Sequence, residues 1–263
     1  MAASGKGKPL ATRRPTFTDR PLLAAPMRWP AGLLVAACAI VIATLGTLTA
    51  GQTTADWLDA RIDGVIMARL GPHVHLDELV VTMGNQHTAT IICALLVLAL
   101  LALRRPRAAV LVVVAVPAAI VLTEYLLKPL FDRRLLGDLS FPSGHETVVS
   151  AMAFSLIVAL TGPARPALPA ALRWLAVAVA VAAMLALAPA LIALQYHYFT
   201  DTIGGVAVGL GTVLTTALGL DALTAWLARS RSRPGSGAAQ RPADEAVPAD
   251  DGMTAGARGL PPA

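Results

Sequence analysis

Six long apolar runs divide the chain, and polar, basic or Pro-rich stretches separate them. The first, residues 31–50, is about 30 Å long as a helix, enough to cross a bilayer. Residues 88–103, 108–127, 145–161, 174–194 and 201–227 hold the other five. Each run predicts a transmembrane helix. The first also invites a signal-peptide reading. It is long for a signal core and no good small-x-small site follows, so a retained anchor is preferred. Pro117 predicts a kink in the third span, and Pro189 an interruption in the fifth.

Residues 51–86 break the pattern, with Asp56, Asp59, Asp63, Asp77 and Glu78 against Arg61 and Arg69. Within them Trp57, Leu58, Ile62, Val65, Ile66 and Leu70 recur at partly helical spacing, which predicts an amphipathic helix lying along the membrane interface. His73 and His75 raise a metal reading, but no third ligand is evident, and a solvated loop is preferred. Residues 129–142 read as a loop on the same side. Gly205 and Gly209 form a small-x-x-x-small pair, read as helix packing.

Composition agrees with the runs. The chain is 56% hydrophobic and 14% charged, with a mean hydropathy of +0.66, which excludes an ordinary soluble domain. Its net charge of +5 raises a nucleic-acid reading, but the basic residues sit beside apolar runs, where they orient a membrane protein. Cys38 and Cys93 lie inside runs and read as small buried hydrophobes. The domain reading is a disordered basic arm at 1–29, a membrane domain at 30–228 and a disordered tail at 229–263.

The arm, the Arg104–Arg105–Arg107 turn, the Arg165–Arg173 turn and the Arg229–Arg231–Arg233 cluster alternate onto one side. The positive-inside rule makes that side cytoplasmic, with both termini there. Lys128, Arg133 and Arg134 are the exception on the extracytoplasmic side, as a site for an anion requires.

Candidate chemistry gathers on that side. Phe141-Pro142-Ser143-Gly144-His145 leads into the fourth run, which places Ser143, Gly144 and His145 at a helix N-terminus. Free N–H groups and the positive dipole end make such a terminus an anion site. Gly144 lets backbone approach a ligand, Ser143 adds a hydroxyl, and His145 exchanges protons near neutral pH. Glu124 and Lys128, at i and i+4, can pair on one helix face. His197-Tyr198-Phe199-Thr200-Asp201 opens the sixth run.

Taken in order, these motifs resemble the type 2 phosphatidic acid phosphatase (PAP2) superfamily, over about residues 123–205. Pro142-Ser143-Gly144-His145 matches its second signature, and His197-x-x-x-Asp201 the end of its third. The resemblance implies an all-α, PAP2-like bundle of six transmembrane helices acting as a lipid phosphatase. It implies His197 as nucleophile, Asp201 as its orienting partner and His145 as acid and then base. Lys128, Ser143 and Gly144 would hold the phosphate, helped by Arg133 and Arg134. No cofactor or metal is implied. The implied partners are a lipid phosphate substrate and membrane lipids, and no nucleic acid. Phosphatidic acid, phosphatidylglycerol phosphate and polyprenyl phosphate or diphosphate all fit as substrates.

Two signatures differ here. Leu135 stands seven residues after Lys128, where the family has an arginine before proline. Ala190 and Leu191 stand where the third signature has Ser-Arg. Arg133 or Arg134 would then have to supply the missing cation. The alternative is a catalytically weak PAP2-like protein that binds or transports lipid phosphates.

Overall fold

The computed structural model describes residues 20–71, 74–163 and 168–232. The expected arm up to residue 19, His73, the Arg165 turn and the tail beyond 232 lie outside the described residues. Apolar runs in a bilayer must satisfy their backbone groups internally, and helices do so. Among the described residues, five helices are long and apolar enough to span: Ala25–Thr49, Pro106–Phe131, Gly144–Thr161, Ala170–Ala193 and Phe199–Ser230. The expected second span lies in the longer arm of a bent helix pair. Helix α3 (Val74–Val81), a short turn at Thr82–Gly84 and helix α4 (Gln86–Ala102) make a pair bent by 59°. His75, expected in a loop, lies exposed in α3, 3.8 Å from Glu78.

Helix α1 (Arg28–Thr49) and helix α5 (Pro106–Val121) flank the central pair, helix α7 (Gly144–Thr161) and helix α9 (Phe199–Ser232). Two-thirds (67%) of the span window of α7 is buried, against 17% for α1, so α7 is the inner helix. Gly205 and Gly209 let α9 lie against it. A Cβ at Gly205 would stand 2.7 Å from the Ser143 carbonyl oxygen, and one at Gly209 2.7 Å from Ser150 Cβ. This is the small-residue packing the spacing predicts. Ile40, Leu95, Leu98, Val113 and Leu185 point outward and supply the apolar exterior.

Neither proline ends its helix. α5 runs through Pro117 to Val121, and helix α8 (Ala170–Ala193) runs through Pro189. Buried Ala115, Val116 and Ala119 pack α5 on both sides of Pro117. The irregularity falls later, in a π-helical turn at Leu122–Leu127, which leads into helix α6 (Lys128–Phe131).

The expected loop after α6 contains a hairpin. Strands β1 (Arg134–Leu135) and β2 (Asp138–Leu139) pair antiparallel. Leu136 and Gly137 both have positive φ, +52° and +97°, as a two-residue hairpin turn of the right twist needs.

The domain edges also move. Residues 20–24 are held: Leu22 and Leu23 N–H groups donate to the Asp221 carboxylate at 2.8 and 3.0 Å, and Arg107 pairs with it at 2.7 Å. At the other end α9 continues past 228 to Ser232. Residues 20–24 are therefore docked on the bundle.

Helix α2 (Trp57–Leu70) is the expected amphipathic helix, capped by Asp56, whose carboxylate accepts from Leu58 and Asp59 N–H groups. Its faces are unusual. Trp57 and Val65 point out, 76% and 51% exposed, while Asp59 and Asp63 are buried. Both buried carboxylates face the N-terminus of α9, where acidic groups are stabilised.

Candidate active site

The site forms where α7 and α9 begin side by side. Phe141 anchors the approach to α7. It is fully buried, stacks edge-on against Phe131 at 5.4 Å, and fits under Gly204, where a Cβ would stand 2.6 Å from its ring. Ser143 caps α7, its Oγ accepting from the Glu146 N–H at 3.3 Å. The Ser143 N–H donates to the Asp201 carbonyl at 3.0 Å, which ties the two helix starts together. Gly144 and His145 are in the first turn, where N–H groups have no intrahelical acceptor and the dipole is positive.

The π turn places Glu124 and Lys128 against this terminus. They pair at 2.9 Å, and Lys128 Nζ lies 3.7 Å from where a Gly144 Cβ would be. A Cβ at Gly144 would press on the Glu124 carboxylate and push it aside, so glycine leaves the Glu124–Lys128 pair in place. Lys128 thus stands beside the anion-binding end of α7, positioned by Glu124.

His145 is half-buried, with Nε2 3.1 Å from Asn85 Oδ1. Gly84 packs flat on it, since a Cβ there would stand 2.8 Å from His145 Cβ. The break in the α3–α4 span therefore forms one wall of the site. Asn85 is a site residue the sequence reading missed; its only signal is a polar residue at the edge of an apolar run.

His197 sits in the turn before α9, not within it, 8% exposed. Its ring centroid is 6.2 Å from that of His145. Its Nδ1 is 3.7 Å from Asp201 Oδ2, beyond hydrogen-bond range, and has no other partner among the described residues. Catalytic hydrogen bonds are often long before substrate binds. Asp201 is fixed from behind: Oδ1 accepts from Arg133 at 2.6 Å, and Oδ2 from the Tyr198 N–H at 3.0 Å.

The structure thus brings together Lys128, Ser143, Gly144, His145, His197 and Asp201. It places the two arginines elsewhere. Arg133 is fully buried, bridging Asp201 and Asp59, donating to Thr200 Oγ1 at 2.6 Å and lying 4.3 Å from the Tyr198 ring centroid. With both terminal nitrogens engaged, it is not presented to a phosphate. Arg134 is on the hairpin, half exposed, pairing with Asp132 at 2.8 Å and donating to the Gly137 carbonyl. The left-handed backbone of Asp132, φ +46°, turns the chain between α6 and these residues, which spacing from Lys128 does not reveal.

A PAP2 superfamily model matches residues 122–225, the segment that holds all of these candidates except Asn85 and Asp59. That segment resembles the PAP2 superfamily. Among solved structures, its fold is similar to the crystal structure of a transmembrane PAP2 type phosphatidylglycerolphosphate phosphatase from Bacillus subtilis. The TM-score is 0.51 at 15% identity, over 77% of this chain and 98% of that one, a likeness of fold. No match is found among curated protein sequences.

At the position of the PAP2 third-signature arginine, Leu191 is fully buried in α8. The neighbouring Gln195 amide donates to the Met67 sulfur at 3.4 Å. The cation beside the α7 terminus is Lys128.

Burial and charge around Arg133 perturb its neighbours. Burial opposes its own charge, but Asp201 and Asp59 outweigh that and hold the guanidinium above its usual range. Burial, with Arg133 opposing, pushes the Tyr198 phenol up. Asp63 accepts from the Phe199 N–H at 3.1 Å, and burial, then Asp59, push its carboxyl up to about 7. A carboxyl raised on folding favours the folded state below its unfolded value of 3.8, and that contribution is lost as pH rises through about 7. Asp63→Asn is thus expected to melt close to wild type at pH 3 and above it at pH 8. A melting difference that does not change between those pH values would contradict the assignment.

Proposed function

We propose that this protein is a PAP2-type membrane lipid phosphatase that hydrolyses a phosphomonoester or diphosphate at the extracytoplasmic face. The observation that carries the reading is the meeting of His145 and His197, 6.2 Å apart, from separate helix starts beside Lys128 and the α7 terminus. Two imidazoles at that separation, next to an anion cradle, suit a phosphorus atom between them.

His197 Nε2 attacks phosphorus while its Nδ1 faces Asp201. The N–P bond forms as the bond to the leaving oxygen breaks, and His145 gives that oxygen a proton. Asp201 stabilises the imidazolium charge on His197. Water then attacks the phosphohistidine, His145 takes its proton, the N–P bond breaks, and inorganic phosphate leaves. Lys128 and the first-turn N–H groups hold the phosphate oxygens throughout, the largest contribution expected in phosphoryl transfer. The scheme calls for no metal ion.

Phosphatidic acid, phosphatidylglycerol phosphate and polyprenyl phosphate or diphosphate are the candidate substrates. They share a phosphate at a bilayer surface, and the phosphatidylglycerolphosphate phosphatase of similar fold lends weight to the second. The test supplies each lipid to the outer leaflet of sealed right-side-out vesicles carrying the protein. Phosphate release outside is the expected result. Release only when the lipid is on the inner leaflet would overturn the orientation.

A second reading is a PAP2-like binder of lipid phosphates with little turnover. It draws on the apolar Leu191 position and on the diversion of Arg133 into the bundle. Binding of these lipids without phosphate release would favour it.

A further inference from the structure

We propose that Asp59 on α2 is a positioning residue for this reaction, holding Arg133 so that Asp201 keeps one carboxylate oxygen for His197. The proposal rests on the reading of His197 as nucleophile.

Asp59, Arg133 and Asp201 are all fully buried, in one chain of charge-assisted hydrogen bonds. Arg133 gives Nη2 to Asp59 and Nη1 to Asp201 Oδ1. Asp201 Oδ2 is thereby left to the Tyr198 N–H and to His197 Nδ1. A guanidinium facing a lone carboxylate prefers to grip both oxygens with a parallel pair of N–H bonds. Asp59 prevents that by claiming Nη2. Without its charge, Nη2 is drawn to Asp201 Oδ2, where it competes with His197. Asp59 also accepts from Thr200 N–H at 2.9 Å and Oγ1 at 2.9 Å, which fixes α2 to the start of α9.

Helix capping alone does not account for this arrangement. Asp63, one turn further along α2, is also buried and accepts from the neighbouring Phe199 N–H. It makes no hydrogen bond or ion pair with Arg133, so it serves as the comparison. Asp59 lies outside the segment the PAP2 model covers, in a stretch that otherwise reads as a membrane-surface helix.

The experiment measures kcat and KM for purified full-length protein on phosphatidic acid in mixed micelles. Asp59→Asn is expected to lower kcat about 10-fold or more with KM within about 2-fold, the pattern of a lost transition-state interaction. Asp63→Asn is expected to stay within about 3-fold of wild type, as a residue outside the chain should. The Asp59→Asn, Asp201→Asn double variant should be within about 2-fold of Asp201→Asn alone, because residues acting in series do not add. Wild-type kcat in folded Asp59→Asn, or additive losses in the double variant, would overturn the proposal. If Asp59→Asn does not fold, Arg133→Lys decides: a single ammonium nitrogen does not reproduce the two separate nitrogens that serve Asp59 and Asp201, so kcat should fall at unchanged KM, and wild-type kcat there refutes the chain. Wild-type protein that binds the candidate lipids but releases phosphate from none of them overturns the phosphatase reading and this proposal with it. Turnover in wild type with no loss in either variant overturns this proposal alone.

Discussion

His197→Ala is expected to release no measurable phosphate from any lipid phosphate that wild type hydrolyses. The loss should reach at least about 10⁴-fold, since a missing nucleophile removes the whole covalent route and leaves only positioning by the cradle. No substitute is at hand. The other imidazole, His145, is on α7 and bound to Asn85, and the Asp201 carboxylate is held by Arg133 and Tyr198. His145→Ala should be slower than wild type by about 10²–10⁴-fold, the usual worth of a general acid–base, and not inactive. Rapid quench of wild type should trap a phosphoenzyme that acid destroys, as phosphohistidine is destroyed. Phosphate release by His197→Ala at the wild-type rate would rule out the covalent scheme.

Arg133→Ala carries the second large effect, on stability as well as turnover. Removing the guanidinium leaves Asp59 and Asp201 as fully buried carboxylates with no cation between them. Breaking a buried ion pair in this way costs about 3–5 kcal/mol. Arg134→Ala, by contrast, removes a half-exposed pair with Asp132 and should cost about 0–1 kcal/mol. Denaturation in the same detergent compares the two directly. Equal losses, or a negligible loss in Arg133→Ala, would show that the buried network does not hold the site together.

The contrast between neighbouring arginines shows where sequence reasoning stops. Both stand in one basic cluster near Lys128, and spacing alone treats them alike. The left-handed turn at Asp132 and the hairpin beyond it send one into the bundle and leave the other at the surface. What was legible was whatever depends on local chain properties. Pro142-Ser143-Gly144-His145 marks a helix start because Ser caps and Gly permits close approach, and α7 starts there. The glycine pair marks helix packing because small side chains allow it, and α9 packs there.

Long-range partners were not legible. The spacing of Trp57, Val65 and their neighbours correctly gives an amphipathic helix, but says nothing of what its polar face meets. Asp59 and Asp63 meet the start of α9 more than 130 residues later in the chain. Likewise the run from 88 gives a helix, while the bend that carries Gly84 and Asn85 to His145 depends on packing against α7.

The close fit of Gly205 and Gly209 on α7 has a consequence for redesign. With no gap between the helices, the two ends bearing His145 and His197 cannot slide or part, and the reacting groups ride on one rigid block. The flank at residues 82–85 is built separately, on a short turn between two helix arms. An engineer seeking a different headgroup would leave the glycine-locked block untouched and vary Asn85 and its neighbours, much as one changes the jaws of a vice without recasting its frame.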